Sequence, residues 1–511
     1  MFLKTHLKWK FHEQCEHAGR TCYQQYLTAW KLESGRIMDL KPGSDLRERL
    51  AVTAAAIALW RVAIHLPLPG VDLQALSEFT ALGGGLSELP QMSLLALGLG
   101  PYISASVVVE VFALFLNPLK AWRSGGPAGR LRLRQMAYVA ALVLALVQGY
   151  AIASSLANMP APGGGVVTVF SGPAGRVLMA LTMAGGTFFL LALAGLITRR
   201  GMGHGVSLLI FCAVISGVGS QLLFVAGSLT APDGLELIGE FGHFGRLLAV
   251  LGGAALLLGG IALLVIVERA TRRIPVIFPD GVETAFPLRL MPAGIVPVSW
   301  SLSLLIIPLT VIQFVDPEPP QWLVESLLPG GMLREIAGLV LIVFFSLFFT
   351  SLFHRPRRLV DDLEARGGRF VTPPGETAAS FLDRRLLILA LFGGLYLGLL
   401  ELGGNLMYLF FGAGLQAVSL LLVAAIALDL YSEGHLRLRY GRLVRVAEFH
   451  DVNRAALVES LVQRQGIPCV LRGGRHRGLL YFFGPYVEIS LLVPEGRREE
   501  SWNVAAPFLG S

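Results

Sequence analysis

The chain is 511 residues long, 54% apolar and only 15% charged, with a formal net charge of +7 and a mean hydropathy of +0.63. Soluble domains run at roughly 45–50% apolar and about 25% charged, so this composition excludes an ordinary water-soluble protein and belongs in a bilayer. The positive balance does not point to nucleic acid, because the basic residues sit in short segments between apolar runs, where they encode orientation.

Residues 1–44 form a polar extension, and Met38 opens a cleaner sequence, so the start of translation is expected at either Met1 or Met38. The extension lacks the charged n-region, short apolar core and cleavage site of a secretory signal. His12, Cys15, His17 and Cys22 lie close together, but their spacing matches no zinc pattern. Cys15, Cys22, Cys212 and Cys469 form no even framework, and no disulfide is expected.

A membrane-crossing helix needs about 20 mostly apolar residues. Such windows fall near 48–66, 94–116, 135–156, 176–198, 205–227, 246–267, 293–314, 335–353, 384–402 and 406–429. Arginines and lysines cluster on alternate connections: Arg47 and Arg49, Lys120 to Arg134, Arg199 and Arg200, Arg269 to Arg273, and Arg355 to Arg358. The opposite connections carry Asp72, Glu78, Glu88, Asp233, Glu236, Glu240, Asp316 and Glu318, with Arg176, Arg246 and Arg334 as exceptions near the boundary. By the positive-inside rule both termini are expected in the cytoplasm.

Residues 70–93 are too polar to face lipid and too apolar for a plain loop, and they contain Gly83, Gly84 and Gly85. Irregular backbone at membrane depth survives only where protein or a water-filled cavity satisfies it, so a re-entrant segment is expected, against an ordinary external loop. After Asp429 the composition changes. RLVRVAEF reads as a strand, Asp451 as the cap of a helix through Leu461, and IPCVLRG and LLYFFGPYVEISLLV as two further strand-like runs. The expected fold is an all-α polytopic membrane protein of ten transmembrane helices. A small α/β cytoplasmic C-terminal domain is expected over 441–495, with a tail over 496–511.

Ionisable residues inside the expected spans are Arg61, His65 and Glu110, with His204 at a span entrance. His204 and Ser207 stand three apart, but no third orienting group or G-x-S-x-G turn accompanies them, so catalysis is not expected. Glu110 and Arg61 are too sparse for the midplane site of a secondary transporter, the competing reading from another class. No G-x-x-x-x-G-K-[ST] loop is present, so no nucleotide or other cofactor is expected. Two spans start with serines inside apolar runs, Ser104 with Ser106 and Ser299 with Ser301 and Ser303, which softens one region of each helix.

The segments LRERLAVTAAAIALWRVAIHLPLPGVD, ALGLGPYISASVVVEVF, LVQGYAIASSLANMP, RGMGHGVSLLIF, VERATRRIPV and MPAGIVPVSWSLSLL follow one another in an order and spacing that resembles the SecY protein-translocation channel family, over residues 45–434. The resemblance implies two inverted five-helix halves and a channel that passes unfolded polypeptides or releases apolar helices into lipid. It implies a pore ring at Leu99, Ile103, Val206, Ile210, Ser299 and Leu422. A lateral gate is implied at Ser104, Ser106, Ser301 and Ser303, and a plug over 76–92 with Gly83, Gly84 and Gly85. Contacts with cytosolic partners are implied at Arg272, Arg273, Arg355, Arg357 and Arg358. The implied partners are SecE-like and SecG-like small membrane subunits, a ribosome or SecA-type motor, signal sequences and nascent chains, in the bacterial cytoplasmic (inner) membrane.

Two departures point to a specialised paralogue with altered motor coupling. The connection from Thr271 to Leu290 is short and turns at Pro279, Asp280 and Gly281, without the family's larger basic hairpin. The connection around Thr372 to Thr377 lacks a Gly-Ile-Arg stretch. The C-terminal run VNRAALVESLVQRQGIPCVLRG resembles a small prokaryotic domain type assigned to signal transduction.

Overall fold

The computed structural model describes residues 44–72, 93–157 except 125, 172–230, 262–278, 283–315, 331–411 except 355 and 366, 417–449, 451–480 and 489–508, with a few isolated positions between. Its helices follow the apolar runs. They are α1 (Ser44–Ala63), α2 (Gly100–Phe115), α3 (Asn117–Ser124), α4 (Gly126–Ala157), α5 (Pro173–Arg200) and α6 (Gly205–Thr230). After helical residues 262–269 come α7 (Val296–Val315), α8 (Met332–Phe353), α9 (Pro356–Glu364), α10 (Ala378–Phe411) and α11 (Ala417–Tyr440). Among the described residues five stretches are long and apolar enough to cross a membrane: Leu131–Ala157, Pro173–Arg200, Met332–Leu352, Ala378–Asn405 and Ser419–Tyr440.

Sequence explains the helix ends. Pro101 and Pro173 stand in the first turns of α2 and α5, where the missing N–H is no loss. Asp45 lies in the first turn of α1 and Arg61 in its last, each matching the helix dipole. Small residues set the packing between α2 and α4: Ala105 and Ala113 face Ala137 and Ala141, all fully buried, so the backbones approach closely. The outward faces of α4 and α8 expose Val139, Val143, Val147, Val340, Phe344 and Phe348, as a lipid-facing surface requires.

Three expected boundaries move. Residues 94–99 are turns, with Gly98 at φ +55°, so α2 starts at Gly100 rather than near 94. The expected span 384–402 becomes the longer α10, and 406–429 shifts toward the C-terminus as α11. Helix α11 runs on to Tyr440 because its polar end is held by buried ion pairs, which an apolar window does not register. The re-entrant segment and its Gly83, Gly84 and Gly85 lie outside the described residues. Its two flanks meet, since Pro67 bridges Ser93 and the Leu94 amide donates to the Leu66 carbonyl at 2.9 Å.

The connection from Thr271 to Leu290, expected as little more than a turn, is an antiparallel hairpin. Strand β1 (Thr271–Ile277) pairs with β2 (Glu283–Arg289) in register from Thr271↔Arg289 to Ile277↔Glu283, and β3 (Arg369–Phe370) adds to the outer edge of β1. Alternation buries Ile274, Val276, Phe286 and Leu288 on one face.

Beyond α11 a second sheet has the order β4 (Leu443–Phe449), β6 (Ile489–Pro494), β5 (Val470–Arg472), with both pairings antiparallel. Helix α12 (Val452–Arg464) is capped by the Asp451 carboxylate, which accepts from the Asn453 amide at 2.8 Å. Two differences from expectation stand out. A short helix, α13 (Gly474–Leu479), lies between the two expected strand-like runs, and the expected tail folds into α14 (Arg498–Ala505), burying Ala505 and Phe508. The sheet is not set apart from the rest. Val446, Phe449, Val458, Leu491 and Val493 share one apolar core with Ile274, Val276, Phe286 and Leu382 of the hairpin and α10.

Candidate functional site

Leu99 occupies the N-cap position of α2, and Ile103 follows one turn later, its amide bonded to the Leu99 carbonyl at 3.0 Å. Val206 and Ile210 are likewise one turn apart on α6. These four side chains belong to one apolar cluster, with Leu95, Leu209 and Ile197. Ile210 also joins a second cluster that contains Leu422 of α11. Five of the six expected ring residues are thus linked through continuous apolar contact. Ser299 is exposed and belongs to neither cluster, while its α7 neighbours Val298 and Leu302 pack with Leu422.

The four serines of the expected gate divide. Ser106 is buried and donates to the Tyr102 carbonyl within its own helix at 2.6 Å, whereas Ser104 is exposed. On α7, buried Ser301 donates across to the Gly338 carbonyl of α8 at 3.3 Å, and exposed Ser303 bonds back to the Ser299 carbonyl at 2.8 Å. Where α2 meets the start of α7, the touching groups are apolar. Val107 and Val111 pack on Ala293, Val296 and Phe349. These residues carry no polar signature, which is why serine spacing alone does not find them.

On the basic side of the bundle lies a buried charge network that sequence reading missed, because its members are far apart in the chain. Glu433 accepts from Arg437 Nε at 2.9 Å, from Arg472 Nε at 2.9 Å and from the Gly203 amide at 3.2 Å. Arg437 also pairs with Asp45 of α1. Nearby, His204 Nδ1 stands 3.2 Å from Ser207 Oγ, and that hydroxyl is also hydrogen-bonded to His476 Nδ1 of α13. Burial, helped by Arg472 and Arg134, lowers the His204 pKa to about 4. Burial, helped by His204 and Arg477, lowers that of His476 to about 3. Among the described residues no acid orients either ring, and the trio is a hydrogen-bonded contact between the start of α6 and α13.

The three candidates inside expected spans are placed apart from this network. Arg61 donates to Ser216 Oγ of α6 at 3.1 Å, His65 is exposed, and Glu110 is buried. Of the expected partner arginines, Arg272 and Arg273 project from β1 and Arg357 from α9, all exposed, whereas Arg355 and the side chain of Arg358 lie outside the described residues. Cys469 is buried beside Glu459 and Cys212 is half-buried, both as free thiols. No group of three metal-ligating side chains occurs among the described residues.

A SecY family model matches residues 93–431, more than half of the chain. The protein translocase subunit SecY of Streptomyces galbus is 29% identical over 419 residues, covering 75% of this chain and 93% of that protein. The subunit of the same name from Rickettsia typhi is 30% identical over 392 residues, covering 72% and 87%. A solved SecY structure, described as showing that the plug domain stabilises the closed state and maintains a membrane seal, superposes with a TM-score of 0.52. It shares 15% identity and covers 79% of this chain and 96% of its own. The idle yeast Ssh1 complex bound to the yeast 80S ribosome gives 0.50 at 14% identity, covering 78% and 91%. At those identities the two structures speak for the fold. The family match ends at residue 431, before β4 begins. Sequence family and fold agree, and the chain belongs to the SecY family.

Proposed function

We propose that this chain is the central channel subunit of a protein translocase, passing unfolded polypeptides across the bacterial cytoplasmic membrane and releasing apolar helices sideways into lipid. It is a conducting protein and not an enzyme. The observation that carries the reading is the apolar assembly of Leu99, Ile103, Val206, Ile210 and Leu422. Such a constriction seals by dewetting, while its side chains can part around a flexible chain. In this reading ten helices form two inverted halves, both termini face the cytoplasm, and residues 76–92 are the plug. The α2–α7 contact at Val107, Val111 and Val296 is the lateral exit.

The absence of a phosphate-binding loop in the sequence means that a partner supplies the energy, a ribosome or a SecA-type motor. SecE-like and SecG-like small subunits complete the bundle. The ribosome carries the Ssh1 complex to which this fold is similar, and Arg272, Arg273 and Arg357 offer exposed charge on the same side. The relatives' names and the shared fold favour this reading over a secondary transporter.

Planar-bilayer conductance tests the waist. Leu99→Asn and Leu422→Asn introduce polar groups and are expected to produce an ion leak. Val298→Asn is expected to do the same, and Ser299→Asn to do little, since Val298 and not Ser299 packs with Leu422. Unchanged conductance in assembled Leu422→Asn protein would remove these side chains from the seal.

A further inference from the structure

We propose that the segment from β5 through α13 is a built-in stopper for the cytosolic mouth of the channel, a wedge that seats on the waist and must withdraw before a polypeptide enters. The inference rests on the channel reading above and assigns a role to a part of the chain that lies beyond the SecY family match.

The wedge reaches the waist itself. Leu479 and Leu480 belong to the same apolar cluster as Leu422, Ile426, Val298 and Ile295, with Ile210 packed against it. His476 bonds Ser207, which sits between Val206 and Ile210 on the first turns of α6. The fit leaves no slack. Gly294, at φ +62°, lies so close to α13 that a Cβ there would come within 2.0 Å of the Leu479 carbonyl oxygen. The same carbonyl accepts from the Ile295 amide at 2.9 Å. A chain arriving from the cytoplasm therefore meets α13 before it meets the ring.

The way the wedge is held differs from the way its sheet is held. The sheet and α12 are joined to the hairpin by apolar core, a durable attachment. At the mouth the wedge adds a set of charged contacts to the apolar ones of Leu479 and Leu480. Arg472 pairs with Glu433 and donates to the Thr198 carbonyl at 3.3 Å. Arg475 pairs with Asp429 at 3.3 Å, and the Arg475 and His476 amides donate to the same carboxylate. Arg289 of β2 donates to the Gly474 and Arg475 carbonyls at 2.9 and 3.2 Å. Buried ion pairs bring little net stability because their desolvation cost is recovered when both partners return to water. Such an interface suits release and resealing better than permanent packing. An apolar anchor on the hairpin with a charged latch at the mouth describes a retractable element.

The hairpin carries the second consequence. Its β2 strand is packed against α12, with Thr284 Oγ1 and Ser460 Oγ 3.2 Å apart. The same unit therefore covers one face of the hairpin between the sixth and seventh expected spans while its wedge fills the mouth. Withdrawal of the wedge and access for a motor or ribosome are linked through one body.

Thiol accessibility tests the stopper in the full-length protein in membranes, with the native cysteines replaced by serine. A cysteine at Ser207 is expected to react slowly with a membrane-impermeant maleimide supplied from the cytosolic side. The latch variant Arg472→Glu with Arg475→Glu is expected to raise that rate about tenfold or more, as the loss of charge-assisted buried contacts predicts. The neutral pair Arg472→Gln with Arg475→Gln is expected to give a smaller rise. A cysteine in place of buried Leu382 of α10 reports that each variant stays folded if it remains slow to react. Fast labelling of the Ser207→Cys protein with the latch intact would overturn the proposal, as would equal rates with and without the latch. Neither result touches the conductance test of the waist, so failure of the stopper and failure of the channel reading remain distinguishable.

Discussion

His204 and His476 face each other across Ser207 with arginines on every side, Arg472 and Arg134 near the first and Arg477 near the second. Burial holds both rings neutral, with pKa values near 4 and 3 against an ordinary value of 6.5. The released wedge thus binds more protons than the seated one between those values. The histidine contribution to seating is complete above about pH 6.5 and falls away as pH drops through that window, by about 1.4 kcal/mol per histidine per unit. Glu459 of α12 runs the other way, since burial raises its carboxyl to about 7 and favours the folded state as pH falls. The net slope is therefore muted, and the test belongs to single residues. In ¹⁵N-histidine spectra at pH 5 the signal removed by His476→Gln is expected to be that of a neutral imidazole. An imidazolium signal there would show that the contact with Ser207 is open to water.

Among the elements, α11 shows what apolar run length can and cannot reveal. Its membrane half was legible as an apolar window, but its continuation to Tyr440 was not, because Ser432, Glu433, His435 and Arg437 fall after the change in composition at Asp429. The continuation depends on Glu433 and Arg437, four apart and both almost fully buried. Removing one partner of such a pair strands the other charge, a loss of about 3–5 kcal/mol. Arg437→Ala is accordingly expected to lower the thermal unfolding midpoint strongly, while exposed Arg439→Ala stays within about 0.5 kcal/mol of the parent protein. Equal midpoints for the two variants would deny the network its structural role. The hairpin and α13 were hidden for related reasons. β1 and β2 hold Pro275 and Pro287 among their seven residues each, which weakens the strand signal. Helix α13 is six residues of Gly, Arg, His and Leu with no periodicity to detect.

At the scale of the molecule, the succession of apolar runs and basic connections was enough to identify a membrane bundle, and the ordered motifs were enough to identify its family. Long-range contact was not legible: the Glu433 network joins residues as distant as Asp45 and Arg472, and only the fold brings them together. The same holds for the contact between α2 and the start of α7, which Val107, Val111 and Val296 make. Three scales meet in one claim, that an unfolded chain passes the waist and can leave between α2 and α7. Photo-crosslinking tests it most directly. Probes in place of Val107 and Val296 should form adducts with a stalled signal-bearing chain in assembled translocase, more strongly in the Arg472→Glu with Arg475→Glu background. No adduct at either position in folded, assembled protein, with the wedge released, would contradict the account.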